Sequence, residues 1–365
     1  MIIPALSLAF LIQSTIEPKI EAKVNPGMEV IAITMWLAGQ YPAPTDSPYK
    51  LEVWNHFRKF KSHPAVTALK KAKGMYTDFT ASGQLMVGWP KAHYQNSLRN
   101  DETWRGIMGQ KNFDDYFREL PDFIEKTKFW TFFQGHRAEY ARYSREFLEL
   151  AKQRKVVSSM EEFYRYGSSR PRPKFEIFLE PLNNWGAHAI VEASGQIPKG
   201  IDTKGLVQYQ IGYWSGDNSN LDQPISFEGV NSVADVAWHE GSHVFIEPVF
   251  QQYKAEITKS ERLFNKDMLT SQNIATWEYC LNENVVRAIT AVLIKLARGE
   301  KPYLQEVNSQ VKRAGFIYIK EIADLILAEY VGSSKYANFD EFFPMILRKM
   351  DTLPDYKISS ANLPN

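Results

Sequence analysis

Ser232–Pro248 reads SVADVAWHEGSHVFIEP, and the chain is organised around its residues His239, Glu240, Gly241, Ser242 and His243. Residues four apart on a helix share one face about a turn apart, so His239 and His243 can offer two imidazole nitrogens to one metal ion. Glu240 projects beside that ion, where a carboxylate can take a proton from water. The pattern is HExxH, which is half a zinc site with a base attached. Its flanks fit a helix: Asn231 or Ser232 can cap it, Asp235 suits the positive end of the dipole, and Pro248 is expected to stop the helix from running on. Ala234, Trp238, Gly241 and Phe245 fall on one side and Val236, His239, Glu240 and His243 on another, which predicts a core face and a chemical face.

A catalytic zinc needs a third protein ligand and an open position. Glu247 continues the stripe, but eight residues of straight helix advance about 12 Å, too far for His239, His243 and Glu247 to converge on one ion. The ligand must come from another element. Trp277–Ala288, WEYCLNENVVRA, lies in a helix expected to start near Ser271 and to end at Gly299. There Glu283 sits among Val285, Val286 and Ile289, an apolar context in which a buried carboxylate needs a partner. Glu278 competes with it. Glu283 can also pair with Arg287 one turn on, and the two roles are compatible because a ligating carboxylate is usually held by an outer donor.

HEGSH followed by LNE on a later helix resembles the gluzincin metallopeptidases, the thermolysin-like group whose third zinc ligand is a Glu in a similar setting. VAWHEGSHVFIEP with NENVVRAI is similar, more closely, to a bacterial family catalogued as a domain of unknown function whose members carry HExxH. LAGQY (Leu37–Tyr41) and HFRKFKSHPAV (His56–Val66) share that similarity. The resemblance implies His239, His243 and Glu283 as Zn2+ ligands, Glu240 as general base, and a zinc-dependent peptidase acting on a peptide or protein. The alternative is a non-catalytic zincin-like protein that binds a peptide or partner in the same cleft. Glu283 follows His243 by 40 positions, about twice the thermolysin separation, and the extra residues, roughly 251–269, are expected to form an inserted hairpin or helix over the site. Stabilising an oxyanion needs a further donor. Tyr318 leads for that role, with Arg287 and His188 behind it, and the strand near Asn183–His188 could pair with an extended peptide.

The wider sequence predicts an α+β, mostly α protein. An apolar segment over residues 1–20 has the length of a signal-peptide core, and export (periplasmic or secreted) is favoured over a cytoplasmic location. An all-α lobe is expected over 21–170 and a zincin-like catalytic domain over 171–365, the latter with a small antiparallel sheet, the HExxH helix and C-terminal helices. Long single helices are expected over Asp122–Gln153 and Leu304–Val331. With 365 residues, 44% hydrophobic content and a formal net charge of +1, the chain can bury a substantial core, and it lacks the basic excess of a nucleic-acid binder. No segment is long enough to span a membrane. The single cysteine, Cys280, permits no intramolecular disulfide and is expected to be a buried, inert thiol.

Overall fold

The computed structural model describes residues 20–40, 47–72, 86, 101–165, 174–183, 188–190, 206–212, 231–264 and 274–355. Helices dominate, and one small sheet accompanies them, so the protein is α+β and mostly α. The order begins with β1 (Ile20–Val24), α1 (Pro26–Ala38), α2 (Pro48–Phe57) and α3 (Pro64–Lys71). It continues with α4 (Asp101–Met108), α5 (Gln110–Thr127), α6 (Phe129–Gly135), α7 (Arg137–Gln153) and α8 (Val156–Tyr164). Strands β2 (Lys174–Glu180), β3 (His188–Ile190) and β4 (Leu206–Gly212) lead to the HEGSH helix α9 (Asn231–Gln252) and the short α10 (Lys254–Thr258). The chain ends in α11 (Trp277–Arg298), α12 (Glu300–Ala314), α13 (Ile319–Leu325) and α14 (Phe339–Thr352).

The sheet corrects the antiparallel expectation. Its order is β1-β2-β4-β3. β1 runs parallel to β2 and β2 parallel to β4, while β3 alone is antiparallel, to β4. Parallel neighbours require long crossovers, and α1 to α8 supply the one between β1 and β2. β1 lies within a stretch expected to be all-α. Its sequence, IEAKV, alternates apolar and polar residues as a half-buried strand does, but five residues are a short signal, and its place in the sheet is fixed by register, with Val24 beside Leu179.

Four helix boundaries differ from expectation for local reasons. The run over 122–153 is broken at Lys128, whose φ of 52° is left-handed and caps α5, so the aromatic stripe is spread over α6 and α7. Its function is packing as expected: Phe129, Tyr140 and Tyr143 are buried. Gly315, at φ 78°, caps α12 and splits the 304–331 run. Pro248, in contrast, lies inside α9, which continues to Gln252; proline removes one helical N–H and does not by itself end the hydrogen-bond ladder on either side. α11 begins at Trp277 and not near Ser271 as expected; at its start the Thr276 hydroxyl accepts from the Tyr279 N–H at 3.2 Å.

One hydrophobic cluster reaches from Val24 and α1 through the sheet to Met350. α9 packs on β4, β3, α8 and α11. Its core face is the expected one: Ala234, Trp238 and Phe245 are buried, the Trp238 indole donates to the Val156 carbonyl and lies 3.0 Å from the Ser159 hydroxyl, and Phe245 stacks on Tyr164 at 4.3 Å. Among the described residues no helix is long and apolar enough to cross a membrane.

Candidate metal centre

α9 and α11 lie antiparallel, and polar pairs along their length set the register. Arg298 at the end of α11 grips both oxygens of Asp235 near the start of α9, at 2.6 and 2.8 Å. Asn282 donates to Glu247 at 3.2 Å, and Lys254 beyond α9 reaches Glu278 at 3.2 Å. Between these links the register brings Glu283 opposite the two histidines.

His239, Glu240 and His243 each offer a ligand atom within 4.8 Å of one another. Glu283 lies closer still to both imidazoles, with Oε2 3.6 Å from His239 Nε2 and Oε1 3.5 Å from His243 Nε2. Two ligands about 2.0–2.1 Å from a tetrahedral ion are about 3.3 Å apart, so these separations fit a metal ion held between the three side chains. All are largely shielded: Glu283 and Glu240 are buried and the imidazole of His239 retains only 16% exposure. The Glu240 Oε1 stands 3.9 Å from His239 Nε2, beside the cluster.

Arg287 fixes the Glu283 carboxylate. Its Nε donates to Glu283 Oε2 at 3.1 Å and its Nη2 lies 3.0 Å from the same oxygen. The guanidinium also donates to Gln310 Oε1 at 2.8 Å and rests 4.1 Å from the Phe316 ring centre. Burial opposes the charge on Glu283, but Arg287 and the two histidines outweigh it and hold the carboxyl well below the ordinary glutamate range. Burial likewise opposes charging of His243, and Glu283, Glu240 and Glu247 overcome it and raise its pKa.

The other expected participants have partners of their own or lie outside the described residues. Glu278 pairs with Lys254. The Tyr318 hydroxyl donates to the Leu263 carbonyl at 2.5 Å, so its one proton is committed to the fold, and Arg287 is committed to Glu283 and Gln310. The side chain of His188 lies outside the described residues, although its strand β3 is an edge of the sheet, packed beside α9. Cys280 is buried, and desolvation pushes its thiol up to about 12, as an inert thiol requires. Of the insertion after α9, residues to 264 are described and include α10 and a short 3-10 turn, Glu261–Leu263.

Glu247 has a place that ligand counting missed. Its Oε1 lies 4.0 Å from His243 Nδ1, behind the imidazole whose Nε2 faces Glu283. Spacing held the signal: Glu247, eight residues after His239, is too far along the helix to share an ion with it, but four residues after His243 it can stand behind that imidazole.

A family described as a domain of unknown function, DUF4932, matches residues 95–349. The chain belongs to this family. The DUF4932 span contains His239, Glu240, His243, Glu247, Glu283 and Arg287, so the whole cluster is inside it, whereas the LAGQY and HFRKFKSHPAV segments precede it. No curated protein and no solved structure matches the chain.

Proposed function

We propose that this protein is a zinc-dependent peptidase of the gluzincin type, its catalytic half zincin-like, with His239, His243 and Glu283 as Zn2+ ligands and Glu240 as general base. The observation that carries the reading is the reach of Glu283 across from α11, one carboxylate oxygen to each imidazole at 3.6 and 3.5 Å. Bound there, Zn2+ supplies Lewis acidity, which acidifies water and polarises a carbonyl. Glu240 takes a proton from the attacking water and returns it to the departing amine nitrogen, so that the acid and amine products form with no other reactant. Arg287 keeps Glu283 aimed. The outer edge of β3, beside α9 and with no further strand paired to it among the described residues, can hold an extended peptide by main-chain hydrogen bonds.

The test is metal analysis of purified protein together with a mixed peptide library. Near-stoichiometric zinc and cleavage by the wild type are expected, with Glu240→Gln retaining zinc and losing cleavage by at least about 100-fold. Failure to take up zinc would sink the proposal. Bound zinc without cleavage of any peptide favours the second reading, a non-catalytic protein that uses the cleft for binding.

A further inference from the structure

Arg287 aims Glu283 at the histidines, but an arginine is a long, flexible side chain that must itself be held. The hold comes from a different helix. Arg287 Nη1 donates to Gln310 Oε1 at 2.8 Å, and Gln310 Nε2 donates in turn to Glu306 Oε1 at 2.7 Å, both residues lying on α12. The Gln310 amide thus turns its oxygen to a donor and its nitrogen to an acceptor, and the reverse orientation would lose both hydrogen bonds. The Phe316 ring covers one face of the guanidinium, its centre 4.1 Å from Cζ. The turn carrying that ring is itself tied to α11, because Asn284, next to Glu283, accepts from the Tyr318 N–H at 3.1 Å.

With Nη1 on Gln310, the edge formed by Nε and Nη2 is the one that faces Glu283, at 3.1 and 3.0 Å. Both contacts fall on Oε2, while Oε1 faces His243 Nε2 at 3.5 Å. A continuous hydrogen-bonded chain therefore runs from Glu306 through Gln310 and Arg287 to Glu283.

We propose that Gln310 is a positioning residue for the third ligand: it selects the guanidinium edge that Arg287 presents and so sets the orientation of the Glu283 carboxylate. The assignment rests on the metal-centre reading and deepens it. A neutral amide suits this place. A carboxylate there would compete with Glu283 for Arg287, whereas an amide oxygen orients the guanidinium without neutralising it.

The probe is Zn2+ alone, its affinity measured by competition with a chromophoric chelator and the stability of the metal-free protein by urea unfolding. Gln310→Met keeps the length of the side chain and removes both hydrogen bonds, and Zn2+ affinity should fall about 10-fold. Arg287→Met should lower it by about 10- to 100-fold, and in that background Gln310→Met should cost nothing more, because no guanidinium is left to orient. Tyr303→Phe serves as the control. It removes a different hydrogen bond of α12, from the Tyr303 hydroxyl to Asp324 at 3.2 Å, and should lower stability while leaving Zn2+ affinity unchanged. Unchanged affinity in Gln310→Met, a further loss of the same size in the Arg287→Met background, or an equal loss in Tyr303→Phe overturns the role of Gln310 and leaves the metal reading standing. If the wild type takes up no Zn2+, the metal reading fails and this assignment falls with it.

Discussion

His243 stands between two carboxylates. Glu283 faces its Nε2 at 3.5 Å, and Glu247 stands 4.0 Å from its Nδ1. For Nε2 to ligate a metal, the ring proton must sit on Nδ1, and an acceptor behind Nδ1 favours that tautomer. Asn282 donates to the same Glu247 oxygen and keeps it in place. Glu247→Gln retains the volume and removes the charge, so Zn2+ affinity should fall about 10-fold, measured by competition with a chromophoric chelator, with circular dichroism unchanged. An unchanged affinity would deny Glu247 any part in orienting the ligand. That His239, Glu240 and His243 lie together was readable in the sequence because helical spacing fixes who shares a face, whereas Glu283 was singled out by its apolar surroundings and by resemblance, and its arrival opposite the histidines is a matter of packing. The place of Glu247 behind His243 was within reach of the same spacing and was passed over because its geometry as a third ligand is wrong.

At the scale of elements, the sequence was most informative where a helix carries its own signals and least where one was broken without them. Gly299 after Arg298 ends α11 where expected, whereas the helix starts at Trp277, capped by Thr276, and not near Ser271. Gly315 also does what glycine does at a helix end, but the periodic residues around it read as one continuous helix. Lys128 carries no warning at all. It takes a left-handed φ of 52° between α5 and α6, where the Lys128 N–H bonds to the Glu125 carbonyl. A side chain in that region costs on the order of 1 kcal/mol, which glycine avoids. Lys128→Gly should therefore leave stability unchanged or raise it by about 0.5–1 kcal/mol, read from the urea midpoint. In an unbroken helix the same change would lower stability by about 1 kcal/mol, so the sign of the shift distinguishes the two architectures.

At the scale of the whole molecule, the parallel pairing of β1 with β2 ties the beginning of the chain to the sheet that α9 rests on, and no local pattern in IEAKV could disclose a partner at Phe175–Leu179. The helix following β1 brings an ionisable group into the joint. Glu29, in the first turn of α1, is buried; it accepts from the Tyr49 hydroxyl at 2.5 Å, and Tyr49 meets the Tyr140 hydroxyl at 2.6 Å. Desolvation, opposed by the Tyr49 hydrogen bond and reinforced by Glu180 and Glu139, pushes its pKa up to about 8. Because the folded pKa exceeds the unfolded one, the folded chain holds a proton that the unfolded chain has released between about pH 4.5 and about pH 8. The stability this group contributes is complete below that window and is lost as pH rises through it, with a slope of up to about 1.4 kcal/mol per pH unit. Glu29→Gln imitates the neutral acid and cannot ionise. Urea unfolding at pH 5 and pH 8.5 should therefore find the variant gaining on the wild type by several kcal/mol at the higher pH, and a stability difference independent of pH would mean that the carboxyl ionises inside the fold without penalty.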